Sequence, residues 1–239
     1  MLEDAIRYPW NGERKVETLL IGGVLSLLGV FFIPVLFVFG YLVRVIRAVN
    51  DGDTEVPPVF EEWGDLLVEG LVAFLITLVY SLVPLVVIGL AIASFILPAS
   101  VVTTAAGEPA TGIAVGGLLL ALVVVVVTVV VSLGVAYLLP AAVAAYAVTG
   151  GIGAAFSPGT LRAIGGSQTY AVAWLVAVAI AIGAQVVGGF ASATVIGAVL
   201  VPLISFYGNV AGAYAIGTAV REVPAVGTVS ETPAERSVA

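Results

Sequence analysis

VVVVVTVVV, residues 123–131, is the stretch on which the fold turns. β-branched residues favour extended strands, and in water such a run would be read as the centre of a sheet. Its flanks reverse that reading. Apolar sequence runs from 112 to 148 without a turn signal, and a strand with open edges cannot satisfy its backbone groups in hydrocarbon. The alternation of apolar and polar residues that a transmembrane barrel needs is missing. The run is therefore expected to be helical and to lie in a membrane.

Composition extends the conclusion to the whole chain. Of 239 residues, 61% are hydrophobic and only 10% charged, against about 45–50% apolar residues in a soluble domain. Stretches 18–43, 71–99, 112–148 and 170–220 are apolar enough to span, since a bilayer core of about 30 Å needs roughly 20 helical residues. The 71–97 stretch would cross once, with a kink at Pro84; 112–149 must emerge from the core and bend at Pro140. The last stretch is too long for one span, and Gly188-Gly189 is read as its turn, giving spans over 170–187 and 190–220. The expected fold is thus all-α, a polytopic bundle of about five apolar segments with interfacial amphipathic helices.

Three domains are expected: an interfacial segment over 1–17, a single helical membrane domain over 18–220 and a disordered acidic tail over 221–239. Leu2, Ile6 and Trp10 fall on one side of a short N-terminal helix, as suits a segment lying along the bilayer surface. Residues 1–17 are too acidic for the basic start of a signal peptide and are read as mature protein. The tail, rich in Pro, Ser and Thr, shows no periodicity.

Orientation follows Lys and Arg. Neither occurs in 98–111 or at 188–189, so those connections are expected outside. Arg44, Arg47, Arg162 and Arg221 then lie in the cytoplasm. Arg7, Arg14 and Lys15 argue for an inside N-terminus as well. Either 18–43 crosses once against the rule, or it enters and leaves on one side as a re-entrant hairpin bent near Gly29 to Pro34; the hairpin is favoured. Pro34, Pro140 and Pro202 each precede a Tyr by five to seven residues, a weak recurrence that would suit repeated helix–elbow–helix units.

The polar residues gather in GYLVRVIRAVNDGDTEVPPVFEEWGDLLVEG, 40–70. Arg44 and Arg47 are placed at a helix C-terminus, where cations complement the dipole. Asn50, Asp51 and Gly52 stop that helix, and Val56-Pro57-Pro58 reverses the chain. Phe60, Trp63 and Leu67 then share one face of an interfacial helix, with Glu62, Asp65 and Glu69 on another. Arg44, Arg47, Trp63, Asp65 and Glu69 are the candidate structural or interaction site, with Arg44 or Arg47 expected to pair with Asp65 or Glu69. Trp10 and Trp63 are read as interfacial belt residues.

Residue types narrow the chemistry. There is no Cys and no His, which removes disulfides, thiolate nucleophiles and His-based metal sites. No catalytic, cofactor or metal site is expected, and no nucleic-acid partner. GGIGAAFSPGT, from Gly150, lacks the Lys and the preceding strand of a phosphate-binding loop. Between Gly70 and Leu161 the one ionisable side chain that is charged at neutral pH is Glu108, which disfavours ion-coupled transport. Gln185 and Asn209 are expected to hydrogen-bond between helices. GIAVG at 112–116, GNVAG at 208–212 and ATVIG at 193–197 have the small-residue spacing that lets helices approach, within the bundle or against a second copy or another membrane protein. A net charge of −7 with a single lysine suits high salt, where self-repulsion is screened.

YPW, LLIGG, GYLVRVIRAV and PPVFEEWGDLLVEG together resemble the archaeal membrane proteins grouped as domain of unknown function 4013, closely over 1–98 and more loosely to about 220. The resemblance implies a haloarchaeal multi-pass protein of the cell membrane and carries no established activity. Two functions are compatible with these features: a non-enzymatic scaffold, assembly or membrane-organising bundle in the lipid bilayer, or a transporter or channel for a small neutral or lipid-like solute.

Overall fold

The computed structural model describes residues 1–105 and 111–223. Among them there is no strand. The helices are α1 (Leu2–Arg7), α2 (Lys15–Leu27), α3 (Ile33–Asp51), α4 (Trp63–Ala105), α5 (Thr111–Thr149), α6 (Pro158–Gly165), α7 (Gln168–Ala191) and α8 (Val195–Arg221). Five of them, α3, α4, α5, α7 and α8, contain a stretch long and apolar enough to cross a membrane. The valine run lies inside α5, as its flanks require. The expected tail falls almost wholly outside the described residues, as does Glu108.

The chain divides into two units, Met1–Ile76 with Pro140–Ala239 and Thr77–Leu139. In the first, α8 is the central helix. Apart from Gly197, its buried residues lie between Phe206 and Val220, and it packs against α7, α3, α2 and α1. Small residues set these crossings. A Cβ on Gly22 would meet the Phe206 ring at 2.1 Å, and one on Gly217 would meet the Ile46 carbonyl at 3.0 Å. Gly208 and Gly212, the GNVAG pair, face Ala184 and Ala177 of α7. That small-residue face is therefore occupied within the chain.

The first apolar run breaks where the hairpin reading placed its bend. α2 ends at Leu27, a 3-10 turn covers Leu28–Val30, and α3 begins at Ile33 with Pro34 in its first turn. The two outer ends meet again: Arg14 Nη1 lies 2.8 Å from Glu61 Oε1, and a Cβ on Gly12 would meet the Val56 side chain at 2.9 Å. Residues 15–51 thus leave from the end at which they start. Gly52, in the left-handed region at φ 112°, closes α3.

Three boundaries, and some finer assignments, differ from the sequence reading. The α7–α8 turn is Ser192–Thr194, not Gly188-Gly189, which lie in the last turns of α7. Thr194 accepts a hydrogen bond from the Gly197 N–H and caps α8, so the hydroxyl decides the turn. The expected connection 98–111 is helical through Ala105, and its next five residues lie outside the described ones. No separate interfacial helix precedes the span: Trp63–Gly70 forms the first turns of α4. On it Leu66, not Leu67, is fully buried. The Pro–Tyr recurrence does not mark equivalent positions, since Pro34 opens a helix whereas Pro140 and Pro202 lie inside theirs. Gln185 and Asn209 are exposed, and no bond between helices joins them among the described residues.

The second unit consists of the later part of α4 and the earlier part of α5. Its described side chains, Leu82, Leu85, Leu122, Val126 and Val130 among them, are largely exposed.

Candidate functional site

The charged elbow is built on a close crossing of α3 and α4. A Cβ on Gly40 would lie 2.1 Å from the Leu66 carbonyl oxygen, and one on Gly70 would lie 1.7 Å from that of Leu36. Only glycine lets two backbones approach so closely. The paired contacts run in opposite sequence directions, so the helices are antiparallel, and this crossing sets which face of α4 meets α3.

Glu69 falls on that face one residue before Gly70. Its Oε2 accepts from Arg44 Nε at 3.3 Å and its Oε1 from Arg47 Nη1 at 2.6 Å. Arg44 also donates to the carbonyls of Glu61 at 2.8 Å and Glu62 at 3.4 Å, and lies 3.3 Å from the Glu62 carboxylate. Glu62 holds a left-handed backbone at φ 52°, so Arg44 braces a strained link just before α4. Arg47 Nε donates at 2.9 Å to the carbonyl of Ala147, in the last turn of α5, where helix carbonyls lack internal donors. One carboxylate and two guanidiniums therefore join the ends of α3, α4 and α5. The Arg44 and Glu69 side chains are 14% and 18% exposed and Arg47 34%, so the cluster is partly dry.

Not all five expected residues join it. Asp65 is exposed, no ion pair joins it among the described residues, and with Asp51, Asp53 and Glu62 it lines an open depression of about 410 Å³ that Arg44, Arg47 and Glu69 also line. Trp63, 45% exposed, stacks on Phe60 at 5.9 Å and meets the edge of Phe37 at 5.2 Å. Among the described residues no group of three or more acids is arranged to hold a metal ion.

Behind the charges lies an aromatic core. Phe60 stacks on Tyr41 at 4.3 Å, and both rings approach Phe206. The Tyr41 hydroxyl donates to the Pro58 carbonyl at 2.9 Å, and that of Tyr8 to the Val56 carbonyl at 3.4 Å. These tyrosines pin the Val56-Pro57-Pro58 reversal. Burial, with smaller contributions from Tyr214 and Asp53, pushes the Tyr8 phenol above its ordinary value. Sequence reasoning missed these two anchors. Their signal was a Tyr in an apolar run, whose hydroxyl needs a partner when buried.

Gly52 lies close to Arg221 and Gly217 against Val49, so the C-terminal ends of α3, α5 and α8 and the elbow share one end of this unit. That is the clustering of Arg44, Arg47 and Arg221 from which a cytoplasmic face was expected. Chemically, both elbow guanidiniums are engaged by internal acceptors, an arrangement that braces helix ends. Neither a curated protein nor a solved structure matches the chain. A family model, described as Protein of unknown function (DUF4013), matches residues 24–193, more than half of the sequence, and the chain belongs to that family.

Proposed function

We propose that this chain is a non-enzymatic, multi-pass protein of the cell membrane that acts as a scaffold or assembly element, in a halophilic and archaeal setting. The observation that carries the reading is the contrast between its units. The first is braced internally by the Arg44–Glu69–Arg47 cluster and the α3–α4 glycine crossing. The second exposes apolar side chains along α5 from Leu119 to Leu133, a surface suited to lipid and to neighbouring helices. The absence of Cys and His from the sequence supports a role without catalysis, and its acidity supports the saline setting.

The cysteine-free background makes the test direct. Single cysteines placed from Leu119 to Leu133 are oxidised in native membranes. Cross-linked dimers, or adducts with one membrane protein, should recur every three to four positions, as a helix face predicts. Uniformly absent cross-linking would overturn the assembly role. A second reading, a transporter or channel for a small neutral or lipid-like solute, is favoured by one observation, an apolar cleft of about 560 Å³ lined by residues of α7 and α8. Solute-dependent uptake into vesicles would support it.

A further inference from the structure

In the first unit the N-terminal segment, α2, α7 and α8 line an open cleft of about 560 Å³, within the range of about 300–1,000 Å³ typical of small-molecule sites. Leu2, Ile6, Gly183, Val187 and Leu203 are among its walls. The one side-chain hydroxyl on them, that of Tyr207, donates to the Ile6 carbonyl. Apart from the indole N–H of Trp10 the lining offers an occupant no free side-chain hydrogen-bonding group, so the occupant must be apolar along most of its length.

Trp10 also lines the cleft and is 54% exposed. Lys15 Nζ lies over its ring, 5.4 Å from the centroid. The neighbouring basic residues are engaged, Arg14 by Glu17 and Glu61 and Arg7 by Glu3. No carboxylate pairs with Lys15 among the described residues. An apolar cleft thus opens beside a half-exposed tryptophan and a cation without a carboxylate, the pairing of chemistries found at the bilayer interface.

We infer that the cleft holds one acyl chain of an anionic bilayer lipid, whose headgroup phosphate lies at Lys15. α7 and α8 are themselves long and apolar enough to cross a membrane, which puts the cleft within reach of bilayer chains. A resident lipid of this kind would fix the N-terminal segment to the bundle. The inference stands independently of the scaffold reading.

The full-length chain in neutral detergent at low ionic strength is titrated with phosphatidylglycerol and with phosphatidylcholine of identical chains, and bound lipid is read by native mass spectrometry. One phosphatidylglycerol should bind about fivefold more tightly than phosphatidylcholine, the preference that one lysine confers near an anionic headgroup. Lys15→Gln should abolish the preference and keep chain binding. Gly183→Leu should weaken both lipids at least tenfold without lowering the unfolding temperature, because a Cβ at Gly183 meets nothing within 4 Å and the added side chain fills the cleft. Glycerol 3-phosphate, a headgroup without a chain, should not compete. Equal binding of the two lipids by the parent chain, unchanged binding by a folded Gly183→Leu, or competition by glycerol 3-phosphate would each overturn the inference. Should Gly183→Leu not fold, Lys15→Gln decides: a preference that survives it defeats the assignment.

Discussion

Replacing Glu69 by Ala removes the one carboxylate shared by Arg44 and Arg47, and the expected loss can be worked from their surroundings. An exposed ion pair contributes about 0–1 kcal/mol, and a hydrogen bond to a charged group about 1.5–3 kcal/mol. Glu69 makes two such bonds, at 2.6 and 3.3 Å, with partners 34% and 14% exposed. Both arginines keep other acceptors, in the carbonyls of Glu61 and Glu62 and of Ala147, so neither charge is wholly stranded. An intermediate cost of about 2–3 kcal/mol follows. In a chain of this length each kcal/mol moves the unfolding midpoint by about 2–4 °C, so Glu69→Ala should unfold roughly 5–10 °C lower in detergent. Asp65→Asn, at an exposed acid, should stay within about 0.5 kcal/mol. A double-mutant cycle on Arg47→Gln and Glu69→Gln should show a coupling of about 1–2 kcal/mol, and one on Arg44→Gln and Asp65→Asn none. Because the cluster is partly dry, the Glu69 effect should persist in high salt. An effect no larger than that of Asp65→Asn, or one that vanishes in molar salt, would refute the reasoning.

Further outcomes follow from the same contacts. Gly70→Ala should destabilise by at least about 1–3 kcal/mol, since its Cβ would lie 1.7 Å from a backbone oxygen. Gly134→Ala, with nothing within 4 Å, should instead stabilise by about 0.5–1 kcal/mol; thermal unfolding of the two variants checks both. At Tyr8 the folded-state value is raised, so its contribution is intact below the unfolded value near 10 and is lost as pH rises above it. The fall in stability above pH 10 should be shallower in Tyr8→Phe. Glu62→Val places a β-branched residue at φ 52° and should lower the midpoint, whereas Glu62→Gly should not. Cysteines at positions 11 and 52 should label from one side of sealed vesicles and a cysteine at 193 from the other; opposite labelling of 11 and 52 would rule out the hairpin.

How much of this was legible depends on what each feature rests on. The helices were legible because hydrocarbon leaves a long apolar run few other backbone solutions. The end of α3 was legible too, since Asn50-Asp51-Gly52 carries its own stop chemistry. The α7–α8 turn was misplaced because two glycines look like a turn, whereas the capping hydroxyl of Thr194 is a weaker mark in sequence and a stronger one in structure. The elbow shows the same limit more sharply. Charge in an apolar chain is scarce enough to identify Arg44, Arg47 and the acids after Pro58 as one cluster, but composition cannot say which acid turns inward. That choice belongs to the rotation of α4 against α3, set where Gly40 and Gly70 let the backbones touch. With Leu66 and Gly70 facing α3, Glu69 must lie at the seam and Asp65 must point away from it, although both belong to the acidic set of 62, 65 and 69. Of the small-residue spacings that could serve the bundle or a second copy, the pair Gly208 and Gly212 lies within the bundle, against Ala184 and Ala177 of α7. In a chain this poor in polar groups, close backbone approach sets the register, and register in turn decides which charges pair.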